Sequence, residues 1–584
     1  MDKTKRHVVR DAWRLAKPYW GSEEKWSARG LLLAVIALNL GNVYISVRIN
    51  EWNNAFYNAL QKLDGSEFFR QLGIFCILAA VYIVMAVYAL YFSQMLQIRW
   101  RRWMTRRYLS DWLNERAYYH LELQGATDNP DQRISEDLNQ FTSSVLTLSL
   151  GLLTSVVSLV SFLVILWGLS GPVDLPFGTW GTLHIPAYLV WTALLYAGIG
   201  TWLTIKIGRP LVPLNFDQQR FEADFRFSLV RLRQNAESVA LYRGEAMELG
   251  VFQERFRSVF ENFWQIMKRQ KRLAWFTSGY AQVALIFPIV VVAPRYFAKQ
   301  IGLGGLMQVV SAFSAVQSSL SFIISSYTNI ANWQAVTERL SGFEERLSAI
   351  HRSRHEPRKI VIRRNTAETA VQGLDLNLPD ETPLLRGVAF APEPGAALLI
   401  NGPTGAGKST LLRAIAGLWP YGRGEITLPK GGVLFVPQRS YLPLGTLAAA
   451  LVYPGGDKNI RPRAKLTAVL EQVGLGALVN ELDVVQDWSQ RLSPGEQQRF
   501  AFARIFLMQP ALVFLDEASS ALDEDSEAEL YGLLRAASWR PTIISIGHRS
   551  TLRSFHDQVL EISAPVPSPD GKRSFSVVPT LGLT

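Results

Sequence analysis

The sequence predicts an all-α membrane domain of six transmembrane helices followed by an α/β domain built around a P-loop. Three observations carry that expectation. Six segments are apolar and long enough to cross a bilayer, which takes about 20 residues each; they lie at 30–49, 72–97, 142–168, 185–206, 275–298 and 305–334. Charged residues make up only 19% of the 584-residue chain and apolar residues 48%, where soluble domains average about 25% charged. From residue 369 onward short apolar strands alternate with glycine turns and amphipathic helices, the pattern of an α/β layer fold.

Residues 1–29 carry eight Lys/Arg interleaved with Trp13, Leu15, Tyr19 and Trp20. No long apolar stretch precedes a small-residue cleavage site, so this is not a signal peptide; it reads as a basic amphipathic helix on the cytoplasmic membrane surface. The membrane domain is expected over 30–340. Pro288 and Pro294 interrupt its fifth segment, and Ser and Gln dilute the sixth; membrane helices tolerate proline where neighbours re-satisfy the freed backbone groups. Orientation follows the Lys/Arg bias of the loops. Residues 50–69 contain only Lys62 and 169–184 contain none, whereas 98–141 carry Arg99, Arg101, Arg102, Arg106, Arg107, Arg116 and Arg133, and 207–274 are richer still. Both long intervals and both termini are therefore expected on the cytoplasmic side, the intervals as helices continuing out of the bilayer. The net charge of +11 is explained by these clusters, and with no nucleic-acid-binding motif in the chain no nucleic-acid partner is expected. The 17 Trp suit membrane–water boundaries. Cys76, the single cysteine, reads as a small apolar side chain and implies no oxidising compartment.

Residues 341–368 turn charged and polar, a helix exit followed by a linker. The α/β domain is expected over 369–563, and 564–584 form a Pro- and Ser-containing tail expected to be poorly ordered.

The chemistry concentrates in the α/β domain. The apolar strand Ala397–Asn401 runs into Gly402, Pro403, Thr404, Gly405, Ala406, Gly407, Lys408, Ser409 and Thr410, and then into a helix. That is a P-loop in its required strand–loop–helix setting. Phosphates need many donors at close range; glycines let backbone N–H groups curl around them, and the helix N-terminus adds positive potential. Lys408 is expected to reach the β- and γ-phosphates of ATP, and Ser409 to bind Mg²⁺. A second apolar strand, Ala511–Leu515, ends in Asp516 and Glu517. Asp516 is placed to hold Mg²⁺, and Glu517 to polarise an attacking water as general base. Either feature alone reads as a glycine turn or a surface turn; together and in this order they do not.

Between them lies Leu492-Ser-Pro-Gly-Glu496-Gln-Gln-Arg499. Here the chain resembles the ABC transporter ATPases, whose LSGGQ signature it matches with departures at Pro494 and Glu496. The resemblance implies that Ser493, Gly495 and Glu496 of one subunit close over ATP on the P-loop of the other, so that a homodimer makes two shared sites. It further implies a Q-loop at Gln438 (a Mg²⁺ and water ligand), a D-loop at Asp523 and a switch histidine at His548. One departure concerns base selectivity: Leu374–Pro379, where the family often stacks adenine on an aromatic, has none.

Six spans ahead of one ATPase domain resemble exporter-fold half-transporters. The stretches 128–137 and 225–242 are similar to the SbmA/BacA-like membrane domain in its ATPase-fused bacterial form, and more distantly to peroxisomal acyl-CoA transporters; the match covers almost the whole chain. The resemblance implies a multi-pass protein of the bacterial inner membrane that moves peptides, antimicrobial ones included, or hydrophilic solutes such as cobalamin, inward. It also implies that both stretches couple the membrane and ATPase domains, against a plain reading as charged helix surface. An acyl-CoA or lipid cargo, and a proton-coupled peptide carrier with a regulatory ATPase, are the alternatives. Within the span bounds the Asp, Glu, Lys and Arg residues are Arg48, Lys206 and Arg295, each near a span end, which speaks against a proton relay within the membrane; Glu237 and the acids of 128–137 lie near it. Small polar residues recur at steps of three and four along the third span (Ser144, Thr147, Gly151, Thr154, Ser158, Ser161) and the sixth (Ser311, Ser314, Ser318, Ser321, Ser325, Asn329). Each set forms one stripe, fitting a water-filled cavity for polar cargo and equally fitting close helix packing.

Overall fold

The computed structural model describes residues 5–123, 125, 129–171, 173–176, 182–355, 359–366, 368–455, 462–563, 566–567 and 573–580. They form two compact units, residues 1–114 with 127–347, and residues 115–126 with 348–584. The helices up to the second unit's sheet are α1 (Lys5–Trp20), α2 (Lys25–Gln61), α3 (Gly65–Leu113), α4 (Ala117–Leu123), α5 (Leu138–Leu169), α6 (Tyr188–Gly208), α7 (Leu211–Gln234), α8 (Ala236–Tyr242), α9 (Glu245–Phe297), α10 (Leu303–Ser325) and α11 (Tyr327–His355).

Among the described residues, five helical stretches are long and apolar enough to cross a membrane, those holding α2, α3, α5, α6 and α9. The sixth expected span falls on α10 and the start of α11. Its serine-diluted α10 is held by the protein, burying Val309, Ala312, Phe313 and Val316 against Phe162 and Leu166 of α5, Ala193 of α6 and Val292 of α9. Two of these helices are longer than the about 20 residues a bilayer takes: α3 runs for 49 residues and α9 for 53, with Pro288 and Pro294 inside α9.

Polar side chains fasten the far end of α2 to the start of α10. Asn58 Oδ1 accepts from Gly304 N at 3.0 Å and Gln61 Oε1 from Leu303 N at 2.7 Å, capping N–H groups that a helix start leaves without partners. Asn54 donates to Gln308 Oε1 at 2.7 Å, and buried Asn50 to Gln308 O at 2.9 Å. The approach requires glycine: a Cβ on Gly304 would overlap the carbonyl of Asn54.

The N-terminal helix α1 buries Leu15, Ala16 and Tyr19, with Tyr19 stacked on Trp100 of α3 at 5.7 Å. Its apolar face thus packs on the protein itself, while Val9 and Trp13 stay exposed. Of the stretch 128–137, Asp128 lies outside the described residues. Arg133–Asp137 form a π-helical turn, and the buried Asp137 carboxylate accepts from Arg339 at 2.9 and 2.6 Å and from Arg133 at 2.9 Å.

The linker expected from 341 is mostly helix. Helix α11 continues to His355, and strand β3 starts at Ile360. The cause is an apolar stripe at alternating steps of four and three (Val336, Leu340, Phe343, Leu347 and Ile350), every member buried.

The second unit is an α/β layer structure. After a short hairpin in the first unit, β1 (Val173–Pro176) with β2 (Thr182–Ile185), its strands longer than two residues are β3 (Ile360–Thr366), β4 (Ala370–Asn377), β5 (Pro383–Phe390), β6 (Ala397–Asn401), β7 (Gly422–Pro429), β8 (Val433–Val436), β9 (Leu512–Asp516), β10 (Thr542–Ile546), β11 (Gln558–Ile562) and β12 (Arg573–Thr580). The main sheet runs β3-β7-β4-β5-β12-β11-β6-β10-β9-β8. From β11 to β8 every pairing is parallel, and these strands are apolar on both faces, as a covered parallel sheet requires. Leu398, Ile400, Leu512, Phe514, Ile544 and Ile546 join one core; Ala397, Leu399, Val513, Leu515 and Ile543 join the other. The residues expected as a disordered tail supply β12, antiparallel to β11, because Phe575-Ser-Val-Val578 is itself a strand-forming run.

The turn between α3 and α5 belongs to the second unit. Leu123 of α4 packs on the core with Leu384 and Tyr421, Arg116 donates to Ala416 O at 3.2 Å, and Glu115 lies 3.3 Å from His351.

Gly304→Ala is expected to lower the thermal unfolding midpoint of the purified chain in detergent, at an overpacking cost of about 1–3 kcal/mol. Gly305→Ala, whose Cβ meets only ordinary contacts, serves as control; equal midpoints would contradict the close approach of α2 and α10.

Candidate functional site

Three neighbouring parallel strands, β6, β10 and β9, point their carboxyl ends at one place, which is where open α/β sheets bind ligands. Each hands over a different piece. After β6 comes the loop Gly402–Gly407, then helix α12 (Lys408–Ile415). Gly405 and Gly407 sit at φ +81° and +88°, backbone that favours glycine, and a Cβ on Gly407 would press on Leu384 at 3.0 Å. Strand β9 ends in Asp516 with Glu517 next, and His548 follows β10.

The Lys408 side chain folds back over the loop. Its Nζ donates to Gly402 O at 2.7 Å and Pro403 O at 3.1 Å, and lies 3.1 Å from His548 Nε2. Burial pushes this ammonium below its ordinary pKa, and Glu517 and Asp516 pull it part of the way back. Ser409 Oγ donates to Asp516 Oδ1 at 3.3 Å, and burial holds the Asp516 carboxyl above its usual range. A hydroxyl and a carboxylate side by side are hard oxygen donors of the kind Mg²⁺ takes, and a carboxylate that resists ionising gains from a cation beside it.

Glu517 is the hub. Gln438, beyond β8, donates to its Oε2 at 2.8 Å, and His548 Nε2 lies 3.4 Å from its Oε1. Its own backbone is left-handed, at φ +48°, which costs a non-glycine residue about 1–2 kcal/mol. A donation from Glu517 N to Ile546 O at 2.9 Å helps hold it there.

The signature residues open helix α13 (Pro494–Met508). Ser493 is its N-cap in a reciprocal capping box: Ser493 Oγ accepts from Glu496 N at 3.3 Å while Glu496 Oε2 accepts from Ser493 N at 2.8 Å. The departure at Glu496 therefore serves local folding. Asp523 likewise caps α14 (Glu524–Arg535), accepting from Ser526 N at 2.7 Å, and hydrogen bonds from the Ser526 side chain and backbone hold its carboxyl below the usual range. The structure brings Lys408, Ser409, Gln438, Asp516, Glu517 and His548 together in one chain; Ser493, Gly495, Glu496 and Asp523 sit at two other helix starts.

Sequence reasoning missed Gln498 and Arg549. Gln498 Oε1 accepts from Ala521 N at 2.8 Å and its amide donates to Ser520 Oγ at 3.1 Å; Arg549 donates to Leu522 O and Ser520 O. Their position one or two residues from a motif was the available signal.

Comparison with known proteins bears on the two domains that hold these elements. The model of ABC transporter transmembrane region 2 matches residues 15–297, and that of the ABC transporter ATPase matches 385–520. The chain is 37% identical to ABC transporter D family member 2, chloroplastic, of Arabidopsis thaliana, over 95% of this chain and 86% of that one. It is 34% identical to the inner membrane ABC transporter ATP-binding protein YddA of Escherichia coli, over 94% and 97%. It is 28% identical to the human lysosomal cobalamin transporter ABCD4, over 92% of each. A solved bacterial Atm1-family ABC exporter with ATP bound shares the fold, with a TM-score of 0.67 at 17% identity over 92% of this chain and 93% of that one. Spans, strand-end cluster and relatives along the whole length place this membrane-spanning chain in the ABC transporter family, with an ATPase domain coupled to transport.

Proposed function

We propose that two copies of this chain form a homodimeric transporter of the bacterial inner membrane, both termini cytoplasmic, that takes up peptides and other hydrophilic solutes by alternating access. The observation that carries the polar-cargo reading is on the sixth span. Ser314, Ser318, Ser325 and Asn329 are exposed on α10 and α11, while α5 exposes Thr147 and Ser149 near its start and then the large apolar Leu152, Val156, Val160, Val164 and Trp167. Apolar side chains suit lipid; a hydroxyl and amide stripe at membrane depth suits a water-filled cavity. The third span's stripe divides differently. A Cβ on Gly151 would press on the Phe322 ring at 2.6 Å, so close packing accounts for that position. The relative described as a cobalamin transporter supports a hydrophilic cargo, the inner-membrane relative supports the location, and direction rests on the family resemblance.

In this reading Lys408 and the N–H groups of Gly402–Thr410 bind the ATP phosphates, Ser409, Asp516 and Gln438 hold Mg²⁺, Glu517 draws the proton from the attacking water and His548 orients it. Bound Mg²⁺ neutralises charge developing on the transferred phosphoryl group. Ser493, Gly495, Glu496 and Asp523 complete the site of the partner copy. Exposed Phe227, Leu241, Tyr242 and Met247 on the α7–α9 hairpin are apolar surface that such a partner covers.

Glu517→Gln is expected to slow ATP turnover about 100-fold or more while leaving a closed, ATP-bound dimer, and Lys408→Ala to weaken ATP binding. The decisive assay uses proteoliposomes with outward-facing ATPase domains and preloaded antimicrobial peptide, cobalamin or acyl-CoA. ATP-dependent loss of peptide or cobalamin from the lumen, absent in Glu517→Gln, is the expected result; accumulation reverses the direction, loss of acyl-CoA alone reverses the cargo class, and movement driven by a proton gradient without hydrolysis overturns ATP coupling.

The lowered Lys408 pKa gives a pH signature. Between that value and the ordinary 10.5 the unfolded chain binds more protons than the folded one, so the nucleotide-free domain gains stability as pH rises through this window. ATP phosphates favour the ammonium form. Nucleotide affinity, read with a fluorescent ATP analogue, is therefore expected to fall as pH rises through the same window; a flat profile contradicts the phosphate contact.

A further inference from the structure

One buried carboxylate near the site has no part in the chemistry assigned above. Glu527, in the first turn of α14, is 1% exposed. Its Oε2 accepts from Ser519 Oγ at 2.6 Å and its Oε1 from Thr551 Oγ1 at 2.7 Å, and Arg549 Nη1 stands 3.6 Å from Oε2. The three partners come from two loops. Ser519 is two residues past Glu517; Arg549 and Thr551 are one and three residues past His548. Arg549 also donates to Leu522 O at 2.8 Å and Ser520 O at 3.1 Å, so both loops are cross-linked around a single charge. On the other side Gln498, from the signature helix, holds Ser520 and Ala521.

A carboxylate this buried is costly unless every oxygen is satisfied, and here the satisfying groups are the two loops themselves. If one loop shifts, Glu527 loses a charge-assisted hydrogen bond, the strong kind. The loops therefore move together or not at all. Glu517 and His548, 3.4 Å apart, are the residues each loop carries, and Glu517 sits in backbone that does not hold itself.

We propose that Glu527 is a positioning residue for ATP hydrolysis: its buried carboxylate ties the loop after Glu517 to the loop after His548 and keeps those two side chains in register. The proposal rests on the reading of Glu517 and His548 as the hydrolytic pair. It assigns Glu527 no contact with nucleotide. Its effect belongs to turnover, not to nucleotide affinity.

The test measures kcat and KM for ATP, together with the thermal unfolding midpoint, on the full-length protein in lipid nanodiscs. Thr551→Val keeps the side-chain shape and deletes one donor to Glu527; Thr551→Ser keeps the hydroxyl; Glu527→Gln removes the charge. Thr551→Val is expected to lower kcat about tenfold, the effect a hydrogen bond to a charged group supports, with KM within about twofold; the midpoint falls too, because a buried carboxylate oxygen loses its donor, so turnover is measured well below it, where every variant is folded. Thr551→Ser is expected to return kcat to within about twofold of the parent, and Glu527→Gln to lower it further than Thr551→Val does. Thr551→Val alone decides the matter if Glu527→Gln fails to fold. The proposal is overturned by a Thr551→Val protein with parental kcat, by a loss carried in KM, or by a kcat loss that disappears once the assay temperature is well below the unfolding midpoint. A hydrolytically active Glu517→Gln would sink the underlying reading; an inactive Glu517→Gln beside a fully active Thr551→Val would sink this proposal alone.

Discussion

The ATPase unit depends on one constraint: three parallel strands, β6, β10 and β9, must end level with one another. Each is buried on both faces, with alternate residues feeding two separate cores. Side chains on a strand alternate with a period of two, so a slip of one residue would exchange the two cores' occupants. The register that satisfies both cores is also the register that sets the P-loop, the acid pair and His548 side by side. Packing and chemistry are thereby enforced by the same hydrogen-bonded ladder, Ile544↔Leu398 and Phe514↔Ile544 among its rungs.

The membrane unit has a different physical logic. Lipid offers no penalty for exposed apolar side chains, so burial alone cannot order its helices, and polar or small residues do that work. The amides of α2 cap the start of α10, Gly304 and Gly151 admit their neighbours, and Asp137 gathers Arg133 and Arg339. These contacts occupy the ends and one internal crossing of the bundle. Ser314, Ser318 and Ser325 of α10 stay exposed, which is why that face supports a reading in terms of water and cargo.

The sequence made the strand-end chemistry legible because motifs such as Gly402–Thr410 and Asp516-Glu517 are local, and their residue types answer directly to phosphate and metal. The spans were legible because bilayer thickness sets their length, with α10 the exception, since its serines dilute the signal that its packing against α5 replaces. What stayed hidden depends on neighbours far along the chain. The helical stripe Val336–Ile350 was readable from its spacing, but its charged companions masked it as a linker. Strand β12 finds its place only because β11 and β5 leave edges for it. The signature's S-x-x-E pattern marks a helix start in the sequence itself; the folded chain adds that the Glu496 side chain closes back on Ser493 N. Glu527 read as an ordinary first-turn acid; only the folded chain shows two loops converging on it.

Helix α9 is continuous over 53 residues, which at 1.5 Å per residue makes a rod about 80 Å long. A rod of that length converts angle into distance: a tilt of about 5° about one end carries the other end through about 7 Å, more than one helical pitch. Its two prolines, Pro288 and Pro294, both fall in the last quarter, so the stretch from Glu245 to Phe287 keeps every i→i−4 rung that a proline would delete. Stiffness is therefore greatest towards the α8 end and compliance is confined to the opposite one. Sub-ångström rearrangement at one end of such a beam is geometrically magnified at the other without any side chain along its length having to change partners.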